Sequence, residues 1–237
     1  MISLRKYLKV RTLMIFVLVT FILSIVYITV RIIQAPVVAP VSDPLARVKG
    51  DYVLMLLQSI VGVFAMSLPT VLKRRTNLEI PSGMIAFYAL FLFCAIYLGE
   101  VRAFYYNVPH WDTILHTFSG AALGALGFSV ISLLNKSETI TFDLSPFFVA
   151  IFALCFAVTI GVVWEFYEFG MDFFFGTNMQ KHSLETGEPL LGQAALLDTM
   201  KDLMVDTLGA SVMCLIGYIS LKYQKGWIER FQVKSKK

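Results

Sequence analysis

The chain has 237 residues, of which 57% are hydrophobic, 14% aromatic and only 15% charged, with a net charge of +4. An ordinary soluble domain carries roughly 25% charged residues, and the mean hydropathy of +0.73 departs from that norm in the same direction. This composition excludes a disordered chain, a nucleic-acid arm and a disulfide scaffold, and it fits a helical membrane protein if the apolar residues come in runs of about 20.

Six such runs follow in chain order, at about 12–30, 52–72, 83–99, 113–134, 146–164 and 202–221. Each is close to the ~20 residues that cross about 30 Å of hydrocarbon as a helix. They are continuous, whereas barrel strands would alternate apolar and polar residues over about ten positions. The expected fold is therefore all-α: one polytopic membrane domain over residues 1–237, a bundle of about six transmembrane helices in contact with the lipid bilayer and not with nucleic acid. The sequence does not give an oligomeric state.

The first run follows a basic start of Arg5, Lys6, Lys9 and Arg11. The small residues Ala35 and Ala39 are each followed by proline, Pro36 and Pro40, which blocks cleavage there. The run reads as an uncleaved anchor helix. In the fourth run Gly120, Gly124 and Gly127, with Ala121 and Ala125, form a small-residue face suited to close helix packing. Pro146 opens the fifth run, where its missing N–H costs nothing. Cys94, Cys155 and Cys214 all lie inside apolar runs without zinc-type spacing and read as small buried hydrophobes. Residues 173–197 form a polar extracytoplasmic loop, suited to a lid and equally to a plain connector.

Orientation follows from Lys and Arg. With six spans both termini share one side, and that side holds 14 of the 20 basic residues, the other six lying opposite. The termini are thus expected in the cytoplasm. The ending KSKK lacks the spacing of a dilysine retrieval signal, and a bacterial plasma (inner) membrane is the simplest location. The acidic residues partition the other way, giving about +10 on the cytoplasmic side and −6 on the outer side.

Three acidic segments fall at the outer boundary. HWDTILH carries Asp112 and His116 at i,i+4; WEFYEFGMD carries Glu165, Glu168 and Asp172 at i,i+3,i+7; DTMKDLMVD carries Asp198, Asp202 and Asp206 at i,i+4,i+8. Each set shares a helix face. Only fifteen residues separate Asp206 from Lys222, so Asp206 falls about a turn inside the hydrocarbon, and Glu100 falls at or just inside the boundary. A carboxylate within a span costs at least about 2.5 kcal/mol. Asp112 and Asp198 also suit helix N-termini. Glu165, Glu168 and Asp172 lie at a helix C-terminus, where the dipole disfavours them, so capping does not account for them; a solvated rim remains open. Trp111, Trp164 and their aromatic neighbours read as an interfacial belt. His110 and His182 read as solvated loop residues.

Arg102 and Lys201 compensate such a cluster only in part. A divalent cation would complete it, with Asp112, His116, Glu165, Glu168, Asp202 and Asp206 as ligands or acid/base groups; protonated carboxylates would be the other solution. Glu100, Arg102, Asp172 and Asp198 are secondary candidates.

The segments WDTILH followed by SGAALGALG, then WEFYE, then DTMKDLMVDTLGA resemble the YjdF-like family of bacterial inner-membrane proteins, from about Asp112 to Gly209. That resemblance implies a compact multi-helix membrane protein and no known activity. A more distant likeness is to VanZ-like proteins, some associated with glycopeptide resistance. Their pattern matches Asp112 and His116, Glu165 with Glu168 where they carry glutamine, and Asp202, Asp206 and Gly209 where they carry aspartate, asparagine and glycine. The two acidic departures favour cation binding over a resistance role. Paired adjacent glutamates of CAAX-type proteases and the Ser-Gly-His triplet of lipid phosphatases are not present.

Three functions remain open: a metal-dependent site acting on a lipid-linked or envelope substrate, an ion- or proton-coupled transporter, and a non-catalytic envelope or interaction protein. Whether the chain is an enzyme is not legible at this level. Missing inverted repeats count against transport.

Overall fold

The computed structural model describes residues 2–38, 40, 42, 43, 46–76, 78–134, 143–184 and 186–235. Ala39, Lys136, Lys236 and Lys237 lie outside the described residues. The described chain is almost wholly helical. Its elements run α1 (Ile2–Gln34), α2 (Lys49–Arg75), β1 (Leu78–Glu79), α3 (Ser82–Leu92, continued by a π-helical stretch Phe93–Val101), the short α4 (Phe104–Asn107), α5 (Trp111–Leu134), α6 (Pro146–Phe175), α7 (Gln193–Lys222), a 3₁₀ turn (Ile228–Phe231) and β2 (Lys234–Ser235). Six helices are long and apolar enough to cross a membrane: Leu8–Gln34, Lys49–Arg75, Ser82–Val101, Trp111–Leu134, Pro146–Phe175 and Gln193–Lys222. Each apolar run of the sequence lies within one of them. Pro146 does open α6. The helices outrun the apolar stretches, so the α6–α7 connector is residues 176–192 rather than the 25 expected.

The chain folds as two compact units. One comprises Met1–Leu68, Ala86–Trp111 and Glu168–Asp198, the other Pro69–Ile85, Asp112–Tyr167 and Thr199–Lys237.

In the first unit Val17 and Phe21 of α1 pack on Met66 of α2 and Ala89 of α3. Gly62 permits the approach: a Cβ there would lie 2.8 Å from Ile96 and 3.0 Å from the Phe21 ring. A second cluster joins Ile28, Tyr52 and Met55, all buried. Arg31 sits on Tyr52, its Nη2 donating to the phenol oxygen at 3.0 Å. Arg47 closes the end of the π-helical stretch, donating to the carbonyls of Glu100 at 2.9 Å and Val101 at 3.3 Å. The Glu100 carbonyl also accepts from the Ala103 N–H at 3.2 Å, and donors at a helix C-terminus offset the cost of leaving its last carbonyls unpaired. Of the cysteines, only Cys214 is buried; Cys94 is intermediate and Cys155 is exposed on α6. For Cys155 the expectation of burial fails, since an apolar run in a membrane helix has a lipid-facing side as well as a packed one.

Pro69 stands inside α2. It has no N–H, so the carbonyl four residues earlier, at Ala65, loses its helical donor. The Tyr88 hydroxyl of α3 supplies one at 2.9 Å. Neighbouring side chains commonly repair a proline in a membrane helix this way. Tyr88→Phe is expected to lower stability by about 1–3 kcal/mol. In a Pro69→Ala background, where residue 69 regains its N–H, the same change should cost much less. Denaturation of the four variants in detergent completes the cycle.

In the second unit α5, α6 and α7 enclose a core of Phe128, Ile131, Val149, Ala150, Ala153, Cys214 and Ile228. The small-residue face of α5 is at its centre. A Cβ on Gly120 would strike the Asp206 carbonyl, one on Gly209 the Thr117 carbonyl, and one on Gly127 would come within 2.7 Å of the Ala153 Cα. The α5 and α7 backbones therefore touch through a reciprocal glycine pair. At the other end of α5 the buried Ser129 hydroxyl accepts from the Val233 N–H at 3.1 Å, and Ser220 of α7 accepts from Trp227 and Ile228 at 2.9 and 3.1 Å. These bonds pin the C-terminal segment, where β1 and β2 pair antiparallel, Leu78 with Ser235 and Glu79 with Lys234.

Candidate metal centre

The centre lies in the second unit, on α5 and α7. Asp112 is in the first turn of α5 and His116 one turn further on. Asp202 and Asp206 are one turn apart on α7, and both are buried. The glycine pair sets the separation of these helices, so side chains as short as aspartate meet across it. Asp112 Oδ1 lies 3.7 Å from His116 Nε2, and Asp202 Oδ2 lies 4.0 Å from the same nitrogen. Asp112, His116 and Asp202 each offer one ligand atom, all within 4.8 Å of one another, and this group could hold a metal ion. Among the described residues no other set of three His, Cys, Asp or Glu comes so close.

Asp206 faces the other ring nitrogen. Its Oδ2 is 3.1 Å from His116 Nδ1, and its Oδ1 accepts from the Ser119 hydroxyl at 2.7 Å. On α6, Gly161 closes around the same carboxylate: a Cβ there would lie 3.3 Å from Asp206 Oδ2. Glu165 is one turn beyond Gly161 on α6 and only 4% exposed. Ser119 and Gly161 were not singled out in the sequence. The signal for Ser119 was its i,i+3 spacing from His116, and for Gly161 its i,i+4 spacing to Glu165.

The chemistry follows from the donor types. Carboxylate oxygens and an imidazole nitrogen are ligands for zinc and similar divalent ions, with bonds of about 2.0–2.2 Å. Two such bonds at a tetrahedral angle span about 3.4–3.6 Å between donors. The observed 3.7 and 4.0 Å exceed this by only a few tenths of an ångström. Three protein donors leave a position for water or substrate. The Asp112 side chain, 18% exposed, marks the accessible edge, whereas Asp202 is 1% exposed.

The remaining candidates belong to the first unit. Glu168 is buried on α6. Asp172, one turn further, organises the connector: its carboxylate accepts from the Thr177 hydroxyl at 2.5 Å and from the Met179 and Gln180 N–H groups at 2.7 and 2.9 Å, and His182 Nδ1 lies 3.3 Å away. Asp198 pairs with Lys181 at 3.0 Å. Gly176, at φ +64°, ends α6 with its N–H on the Asp172 carbonyl, the usual left-handed stop. Glu100, at the end of the π-helical stretch, accepts from the Gln58 amide at 3.3 Å. Arg102 follows it on an exposed position. His182, read as a solvated loop residue, is about half exposed yet sits against Asp172.

The fold and the site together define a six-helix membrane protein with a buried Asp/His group between two of its helices. The chain belongs to the family described as "Predicted membrane protein (DUF2238)", whose profile matches residues 10–223. No curated protein and no solved structure matches it.

Proposed function

We propose that Asp112, His116 and Asp202 bind a divalent cation, and that the chain is a metal-dependent membrane enzyme acting on a lipid-linked or envelope substrate. The observation that carries this reading is the convergence of two carboxylates and an imidazole within 4.8 Å, two of the three residues buried. Burying carboxylates is costly unless a positive charge compensates them. A cation there would supply Lewis acidity. Glu165, buried one turn beyond Gly161, would take or give a proton in this reading. The accessible edge at Asp112 gives the substrate its approach.

In this reading the termini are cytoplasmic and the centre is extracytoplasmic, in a bacterial inner membrane, as the partition of basic residues supports. The likeness to YjdF-like and VanZ-like proteins is compatible with it. Single cysteines placed at Leu191, 83% exposed in the connector after α6, and at Lys73, in a chain freed of Cys94, Cys155 and Cys214, should react with impermeant reagents from opposite sides. Labelling of both from one side would overturn the orientation.

Elemental analysis of the purified protein tests the function. About one equivalent of a divalent metal is expected, removable by chelation. Protein that takes up no metal from any of zinc, manganese, cobalt or magnesium would overturn the reading. Metal-free protein that supports proton-coupled uptake in vesicles would move the carboxylates to the transport reading.

A further inference from the structure

We infer that Asp206 and Ser119 are positioning residues for His116, holding its ring as the Nδ1–H tautomer so that Nε2 faces Asp112 and Asp202. The inference deepens the metal-site reading and replaces the ligand role expected for Asp206 from the sequence. An imidazole in a metal site uses one nitrogen for the ion and needs an acceptor for the N–H on the other, and that acceptor fixes tautomer and ring orientation.

The two nitrogens of His116 are divided in this way. Nε2 has Asp112 at 3.7 Å and Asp202 at 4.0 Å, both beyond hydrogen-bond range. Nδ1 has Asp206 Oδ2 at 3.1 Å, within it. Asp206 is itself fixed through its second oxygen, which lies 2.7 Å from the Ser119 hydroxyl. That hydroxyl is also 2.8 Å from the His116 carbonyl. It has one proton, and the charge-assisted bond to the carboxylate is the stronger of the two. On the remaining side Gly161 makes room for this carboxylate, since a Cβ there would lie 3.3 Å from Asp206 Oδ2. Both carboxylate oxygens are thus committed to the ring and the hydroxyl, and the chain Ser119–Asp206–His116 ends at the donor triangle.

The test uses the full-length protein in detergent with ring-¹⁵N histidine. There are three histidines, so His116→Gln assigns the His116 signals. At a pH high enough for the ring to be neutral, metal-free wild type is expected to show an Nδ1-protonated, Nε2-free ring, moving toward a tautomer mixture in Asp206→Asn. Titration with cobalt(II), read by its visible ligand-field bands, should show affinity about 10–100-fold weaker in Asp206→Asn. A smaller loss is expected in Ser119→Ala, and the band positions should be unchanged in both. A wild-type ring protonated on Nε2 would overturn the inference. So would Asp206→Asn bands shifted as by loss of a ligand, or affinity and tautomer unchanged in both variants. If wild type binds neither cobalt nor zinc, manganese or magnesium, the metal reading fails, while the ring spectra of wild type and Asp206→Asn still decide whether Asp206 sets the tautomer.

Discussion

Asp202→Ala protein is expected to purify without bound divalent metal, its affinity having fallen by more than the roughly 10–100-fold that loss of an outer-shell partner costs. In the proposed site Asp202 supplies one of three donors, and at 1% exposure it is the most deeply buried of them. The accompanying change in stability has a diagnostic sign. In chelated protein, removing Asp202 takes a carboxylate out of a site where burying it costs at least about 2.5 kcal/mol, so the variant should melt no lower than chelated wild type. In metal-loaded protein the variant should melt lower, because it forfeits the stabilisation that ligand binding confers on the folded state. Asp172→Ala is the control. Its carboxylate holds Thr177, Met179, Gln180 and His182, so the variant should keep its metal and instead exchange backbone hydrogens faster in the connector after α6. Metal content by elemental analysis, melting with and without chelator, and backbone hydrogen exchange of the connector give these readings. Equal metal loss in Asp172→Ala and Asp202→Ala would show that the loss reports general unfolding.

Helical spacing made part of this site legible before any coordinates. Asp112 and His116 at i,i+4 are on one face and do meet at 3.7 Å. Asp206 is buried, as an ionisable residue on a membrane helix is when it faces its neighbours rather than lipid. The periodicity of α7 could not separate Asp202 from Asp206, because both lie on the same stripe. Their difference is which ring nitrogen they face, and that depends on where α5 crosses α7. Nor could it show that Asp172 and Asp198 are engaged in the connector, because their partners Thr177, His182 and Lys181 are brought to them by a chain reversal with no periodic signature. The π-helical stretch Phe93–Val101 was equally hidden: its residues are as apolar as those of Ser82–Leu92, and one extra residue per turn leaves no compositional mark. The six spans were the easiest to read, since the length and continuity of an apolar run are properties of the chain alone.

Gly120→Val is expected to lower stability by about 3 kcal/mol, the upper part of the range for overpacking a tight contact, and to abolish metal binding in whatever fraction still folds. A single Cβ at residue 120 would already strike the Asp206 carbonyl, and Gly209 meets the Thr117 carbonyl in the same way from the opposite helix. Backbone cannot move aside as the tip of a flexible side chain can, so the helices must separate. The contact they lose is the one that membrane helices rely on, close backbone approach through small residues. The Asp206 whose carbonyl would be displaced is also the residue whose carboxylate lies 3.1 Å from His116 Nδ1, so a shift of even an ångström at Gly120 breaks that bond and moves His116 relative to Asp202. Two further glycines calibrate the effect. A Cβ on Gly124 would come 3.3 Å from the Ala210 carbonyl, a contact that a small adjustment relieves, so Gly124→Ala should cost little. A Cβ on Gly170 of α6 would meet nothing within 4 Å, and Gly170→Ala should gain roughly 0.5–1 kcal/mol from the better helix former. Melting in detergent with metal content measured on the folded fraction ranks the three. Equal melting of Gly120→Val and Gly170→Ala would mean that α5 and α7 are not in backbone contact there, and the geometry proposed for the metal centre would fall with it.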